Sequence, residues 1–252
     1  MTTHDFDVDA GLRRLHLPTV RRMYPQLQEQ AEKEGWSYRD FLSQLISEEL
    51  AHRAETRIQR ATHKARFPFL KTIEEFDFTF QTSIKRKAIG RYLGPEIVSE
   101  GRSAILLGRP GRGKTHLAIA FAYKAIQNGF VARFVTLAEM LNDLHRATRD
   151  GDLDAAVEPF VDPDVLVLDE LGYLTYGPDA ANLLFQVVDR RYLAQRPVIV
   201  TSNKQPGEWG RVLHDPDLAD AIVDRLLERG EVVQLRGKSY RNPDGDSIES
   251  NS

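Results

Sequence analysis

The sequence predicts an α/β fold, a parallel five-stranded sheet covered by helices on both faces, preceded by a small all-helical N-terminal domain. Three observations predict it. Short apolar runs near residues 104–107, 131–136, 165–169, 198–202 and 231–235 alternate with helical spacing near 114–127, 137–149, 179–194 and 217–229, a pattern of parallel strands joined by right-handed crossovers. A glycine-rich turn, Gly108 to Gly113, sits between the first strand and the first of those helices. Residues 1 to about 66 carry helical periodicity and no strand pattern.

Composition sets the outer limits. With 252 residues the chain is long enough for one large domain, or one domain with an appendage. A net charge of −3 gives no global attraction to nucleic acid, so any such partner must be met by a local patch. The absence of cysteine excludes disulfides and thiolate metal sites and fits a reducing cytoplasm, where the protein is expected. The acidic N-terminus has no signal-peptide run, and no apolar stretch is long enough to span a membrane.

In chain order, Leu12 to Glu34 has helical spacing that Pro25 should kink or break. Ser37 is placed to cap a long helix through Phe41, Leu42, Leu45, Ile46, Leu50, Ala54, Ile58 and Ala61, which reads as a single apolar face. In the second half of that helix, Arg53, Arg57, Arg60 and Lys64 recur at helical intervals. They form a stripe that suits a DNA backbone, an acidic partner or simply solvent. Residues 67–95 read as an aromatic connector ending in a second basic helix, Ile84 to Tyr92, with Lys85, Arg86 and Lys87 as further candidates for DNA. Residues 96–241 hold the α/β core, and 242–252 form a polar tail expected to be disordered.

The glycine-rich turn completes Gly108-Arg109-Pro110-Gly111-Arg112-Gly113-Lys114-Thr115, the G-x-x-x-x-G-K-[ST] spacing of a phosphate-binding loop. Glycines let the backbone N–H groups wrap a phosphate, and the following helix adds the positive end of its dipole. Lys114 is then expected at the β- and γ-phosphates, and the Thr115 hydroxyl on Mg²⁺. The chain is therefore read as a P-loop NTPase. Val165 to Leu168 lead into Asp169-Glu170, where Asp169 would hold the Mg²⁺ hydration shell and Glu170 would polarise the attacking water. Asn203, after the strand Val198 to Ser202, would reach the same water or the γ-phosphate, unless it serves its own turn. Asn203-Lys204-Gln205 lacks the carboxylate of a guanine-reading motif, because position 206 is proline, so ATP is the expected nucleotide. Arg225 precedes the last strand, far along the chain from its own phosphate loop. It is read as an arginine finger for a neighbouring copy, or as a surface arginine paired with Asp224 or Glu228.

Together these residues resemble a family. Phe67-Pro68-Phe69-Leu70-Lys71-Thr72, Asp169-Glu170-Leu171-Gly172-Tyr173-Leu174, Ala181-Asn182-Leu183-Leu184-Phe185-Gln186, Thr201-Ser202-Asn203, Asp224-Arg225-Leu226-Leu227 and Gly237-Lys238-Ser239-Tyr240-Arg241 are similar to the IstB ATPases of insertion sequences, relatives of DnaC-type helicase loaders in the AAA+ superfamily. The resemblance covers about Leu15 to Arg241. It implies a transposition helper that binds double-stranded DNA with ATP, assembles head to tail with itself and stimulates an IstA-type transposase. The alternatives are a replicative helicase loader and, in a different class, a small-metabolite kinase, for which no acceptor site is visible. The resemblance gives Lys114 and Thr115 to Walker A, Asp169 and Glu170 to Walker B, Asn203 to sensor 1 and Arg225 to the finger. Arg109 and Arg112 stand where the family has small or apolar residues, and Arg241 is a candidate for sensor 2.

Overall fold

The computed structural model describes residues 7–237, 239 and 240; Arg241 and the polar tail lie outside them. Two compact units make up the chain, Met1–Arg60 and Ala61–Ser252.

The first unit is helical: α1 (Val8–Arg14), α2 (Pro18–Glu34) and α3 (Tyr38–Lys64), whose last turn enters the second unit. Pro25 lies inside α2 and does not break it. Val20 and Leu27 fall on either side of Pro25, one helical face apart, and both bury against Leu45, so a break would lose one of them. The first turn of α2 is capped from a distance: the Glu49 carboxylate of α3 accepts from the Thr19 and Val20 backbone N–H groups at 2.9 and 3.2 Å. Ser37 caps α3 as expected, accepting from Asp40 N at 3.2 Å. The apolar face of α3 is divided, however. Leu45 is buried and Phe41 packs beside it, while Leu42, Ile46 and Leu50 are exposed.

The second unit opens with an irregular connector whose Ile73, Phe76, Ile84, Ile89 and Tyr92 are buried. The helix expected over Ile84 to Tyr92 does not form. The chain instead takes successive short turns, such as Ala88 N to Lys85 O at 2.9 Å, and ends in a 3-10 turn at Gly90–Tyr92. Ile84, Ile89 and Tyr92 are buried from these turns. Lys85, Arg86 and Lys87 are left exposed on this turn region.

The core follows as α4 (Glu96–Ser99), β1 (Ala104–Leu107), α5 (Lys114–Gln127), β2 (Ala132–Thr136), α6 (Leu137–Asp150), α7 (Leu153–Val161), β3 (Val165–Leu171), α8 (Ala180–Leu193), β4 (Val198–Ser202), α9 (Trp209–Leu213), α10 (Pro216–Glu228) and β5 (Glu231–Gln234). Every strand pairing is parallel, and the order is β2-β3-β4-β1-β5. The chain therefore crosses from β1 to the far edge at β2 and returns through β3 and β4. That brings the carboxyl ends of β1, β4 and β3 side by side, the place where open α/β sheets bind ligands.

Arg191 of α8 ties the opposite side together. It is fully buried, and its guanidinium donates to the carbonyls of Phe160, Val161, Pro163, Asp164 and Pro197 at 2.7–3.0 Å. Burial pushes its pKa down to about 9, still above neutrality, so the group remains a cation that five carbonyl oxygens surround.

Candidate nucleotide site

The phosphate loop leaves β1 at Gly108, where a side chain would strike Leu235 O of the connection after β5 at 2.6 Å. Gly111 and Gly113 take φ of 76° and 88°, in the left-handed region. Gly113 is the N-cap of α5 and supplies no side chain to it, so the helix offers its first N–H groups to an anion. Behind the loop, Gln81 is fully buried; its amide donates to Arg112 O at 2.9 Å, and its carbonyl accepts from Gly237 N. Tyr240 N donates to Gly111 O at 2.9 Å and its hydroxyl to Asp77 O at 2.9 Å, while its ring packs on Phe80. The loop is thus clamped from the connector on one side and the chain after β5 on the other. Neither clamp was foreseen, because Gln81 and Tyr240 stand in irregular segments.

Arg112 is buried and Arg109 exposed. The Lys114 ammonium, itself buried, donates to Arg109 O and to the Tyr173 hydroxyl, each at 3.0 Å. Thr115 at the head of α5 donates its hydroxyl to Asp169, with Oδ1 and Oδ2 at 3.0 and 3.1 Å. Thr201 of β4 also donates to Asp169 Oδ1. A buried carboxylate therefore accepts from a hydroxyl on each side of it.

Adjacent strand residues normally point to opposite faces, so Asp169 and Glu170 should not share a site. A bulge resolves this. Between Leu168↔Val200 and Leu171↔Ser202, β3 uses one residue more than β4, and Glu170 takes φ of 65°. That left-handed conformation costs a glutamate roughly 1–2 kcal/mol. It is held by Glu170 N donating to Thr201 Oγ1, and by the Tyr176 hydroxyl donating to Glu170 O, both at 3.0 Å. Burial, with the Glu170 charge adding to it, pushes the Tyr176 phenol up to about 12, so it stays a donor. Asp169, Glu170 and Thr115 consequently line one cleft of about 670 Å³, with Arg66, Arg133 and Arg146 on its other walls.

Asn203 follows β4, and its Oδ1 is buried with no hydrogen-bond partner. It lies against the turn after Glu170, 3.1 Å from where a Cβ on Gly172 would stand. The left-handed loop glycines, the uncapped α5 and the buried Lys114 fit the phosphates of a nucleotide. Among the described residues no group of three or more His, Asp or Glu forms a metal site of its own.

The remaining candidates are not part of this cluster. Arg225 of α10 donates to Asp189 of α8 at 2.7 Å and stacks on Phe185 at 4.5 Å and Tyr192 at 5.7 Å. Its carboxylate partner is Asp189, not Asp224 or Glu228. Arg53 donates to Glu49 at 2.7 Å and to His16 O, so it braces the same carboxylate that caps α2. Arg57, Arg60 and Lys64 are exposed on α3.

The comparisons with known proteins bear on the family and the fold. The sequence pattern of the family described as IstB-like ATP binding protein matches residues 10–246. The chain is 40% identical over 228 residues to a protein assigned as ATP-binding in insertion sequence IS5376 of Geobacillus stearothermophilus, covering 90% of each chain. It is 37% identical to the corresponding protein of IS21 from Pseudomonas aeruginosa, covering 93% of this chain and 88% of that one. In fold it is similar to AMPPCP-bound DnaA from Aquifex aeolicus, with a TM-score of 0.54 at 19% identity over 66% of this chain and 49% of that one. It is also similar to the DnaC helicase loader, with a TM-score of 0.51 at 21% identity over 60% of this chain and 89% of that one. The fold is that of an AAA+ P-loop domain, no helix among the described residues is long and apolar enough to cross a membrane, and the chain belongs to the IstB-like ATP-binding protein family.

Proposed function

We propose that the chain is a Mg²⁺-dependent ATPase that assembles on double-stranded DNA and helps a partner transposase of the IstA type to capture its target. The observation that carries the hydrolytic part is the bulge at Glu170, which turns a second carboxylate into the cleft that Thr115 and Asp169 already line. Thr115 Oγ1 and the Asp169 carboxylate are hard oxygen ligands, 3.0 and 3.1 Å apart, and suit Mg²⁺ with water and phosphate oxygens completing its shell. Bound there, the ion would neutralise charge on the phosphates. Lys114 holds the β- and γ-phosphates, Glu170 takes the proton of the attacking water, and the Asn203 amide orients that water. Arg225 of a neighbouring copy completes the site. The transposition part is supported by the relatives named from insertion sequences, which cover nearly the whole chain at 36–40% identity. The likeness to a helicase loader extends to fold alone.

One experiment tests the reading: ATP hydrolysis with and without Mg²⁺ and duplex DNA, for the wild-type chain and Glu170→Gln. Wild-type turnover should need Mg²⁺ and rise with DNA. Glu170→Gln should bind ATP normally and lose about 10²–10⁴ in rate, the usual contribution of a general base. Wild-type turnover in that variant would remove Glu170 from the chemistry, and turnover indifferent to DNA would remove the assembly.

A further inference from the structure

The turn after Asp169-Glu170 touches three residues that the proposed function places on the nucleotide. Tyr173 N donates to Glu170 O at 3.3 Å, so the turn closes on the carboxylate's own residue. The Tyr173 hydroxyl lies 3.0 Å from Lys114 Nζ, and the same ammonium stands 5.5 Å from the centre of its ring. Between them Gly172 takes φ of 89°, and a Cβ there would come within 2.7 Å of Lys204 Cγ and 3.1 Å of Asn203 Oδ1. The bare glycine lets the turn lie against the amide whose oxygen is buried without a partner. One short segment thus meets Lys114, Glu170 and Asn203, and Tyr173 is its only side chain that reaches the phosphate loop in these contacts.

The chemistry of that contact is directional. An ammonium has only protons to give, so the phenol oxygen accepts from Lys114 and directs its own proton elsewhere. A phosphate oxygen is an acceptor, and a bond from a phenol to it is charge-assisted. The turn that carries the hydroxyl bonds Glu170 O and lies against Asn203, the two residues that the proposed function places on the attacking water.

We propose that Tyr173 reads the terminal phosphate of a bound nucleoside triphosphate, its hydroxyl bridging Lys114 and that phosphate, so that the Gly172–Tyr173 turn reports triphosphate against diphosphate to Glu170 and Asn203. The inference rests on the phosphate-loop reading of the site. A diphosphate offers Lys114 an anion but leaves the Tyr173 proton without its phosphate acceptor.

The test is equilibrium binding of β,γ-methylene ATP and of ADP, each with Mg²⁺, to the full chain and to Tyr173→Phe, alongside thermal unfolding without nucleotide. Tyr173→Phe keeps the ring over Lys114 and removes only the hydroxyl. The ratio of triphosphate to diphosphate affinity should fall about tenfold to a hundredfold, as for one hydrogen bond to a charged group. ADP affinity and the unfolding midpoint should stay as in the wild type. An unchanged ratio overturns the proposal, whether both affinities stay put, weaken together as from a structural defect, or tighten together as from a latch that merely occupies Lys114. Failure of the wild-type chain to bind either nucleotide would instead overturn the phosphate-loop reading beneath it.

Discussion

Two basic regions of this molecule can be set side by side, the phosphate loop with Lys114 and the stripe along α3. At the loop, side chains from the ends of three strands converge: Lys114 and Thr115 after β1, Asp169 and Glu170 on β3, Thr201 and Asn203 on and after β4. Thr115, Asp169, Glu170 and Thr201 bond to one another across those strand ends. On α3 the cations share a helix but not a role. Arg53 is tied to Glu49 and His16 within the helical unit, while Arg60 and Lys64 face outward. Convergence of different elements on one point is evidence for a site. Periodicity along one element shows only a face, and what that face serves depends on its neighbours.

Arg225 offers the sharpest way to break this comparison, because it is satisfied within its own subunit and is still proposed to act. Its bond to Asp189 and its stacking on Phe185 and Tyr192 hold it away from its own phosphate loop. If a neighbouring copy uses it, Arg225→Ala should bind ATP as the wild type does and lose about 10³ or more in hydrolysis, the scale of an arginine supplied in trans. Mixing Arg225→Ala with Lys114→Ala should restore part of the activity, since one protein keeps the pocket and the other the finger. Activity per subunit that is flat with protein concentration, together with no rescue in the mixture, would leave Arg225 as a structural arginine.

The same contrast explains what the sequence showed and what it hid. Strand β1 and helix α5 were legible to the residue, because their apolar runs border a spaced motif. Lys114, Thr115 and Asp169 were legible for the same reason. The bulge at Glu170 was not: alternation predicts that neighbours diverge, and only the pairing of β3 with β4 reveals the extra residue. The contacts of Tyr173 and Gln81 were hidden because a hydroxyl or an amide in a loop has no spacing signal of its own, and that of Thr201 because a hydroxyl inside an apolar strand reads as part of the strand. Arg191 was hidden more deeply. A basic residue in an exposed-looking helix pattern gives no sign that five carbonyls from the chain around β3 and β4 surround it. The helix expected over Ile84 to Tyr92 failed in the reverse sense, since charge and spacing suggested a helix where the chain takes successive turns.

The α3 stripe yields a smaller, more graded prediction. Arg53→Ala should destabilise the helical unit, because Glu49 would keep its buried carboxylate and lose its cation. It is therefore a poor probe of DNA. Arg60→Glu with Lys64→Glu should instead leave folding intact and weaken binding to unrelated duplexes alike. If each cation meets one phosphate, the slope of log affinity against log salt should become shallower by about 2. Fluorescence anisotropy with two unrelated duplexes across a salt series checks it. Equal affinity in the double variant would move the DNA contact off α3, with the exposed Lys85, Arg86 and Lys87 next to be reversed.

The smallest effect expected belongs to His116, directly after Thr115 in α5, and it bears on how the loop is held rather than on what it binds. Its Nε2 lies 2.8 Å from Thr72 O; a carbonyl can only accept, so Nε2 carries the proton and donates. The ring packs edge-on to Phe76 at 5.2 Å. Burial lowers its pKa below the ordinary histidine value, more than the Thr72 carbonyl and the Glu75 charge raise it, and the Lys71 charge lowers it further. The unfolded chain therefore takes up a proton near pH 6.5 while the folded chain does not. Between that pH and the lower folded value the unfolded state binds more protons, so stability falls with falling pH. The contribution is fully present above about pH 6.5 and is lost as the pH drops through the folded value. His116→Gln keeps an amide donor for Thr72 and cannot titrate. Urea unfolding between pH 7.5 and 5 should show the wild-type chain losing more stability than the variant over the acidic part of that range. Parallel pH profiles for the two proteins would mean that His116 stays equally protonated in both states, and that Thr72 and Phe76 hold the α5 start without depending on its charge.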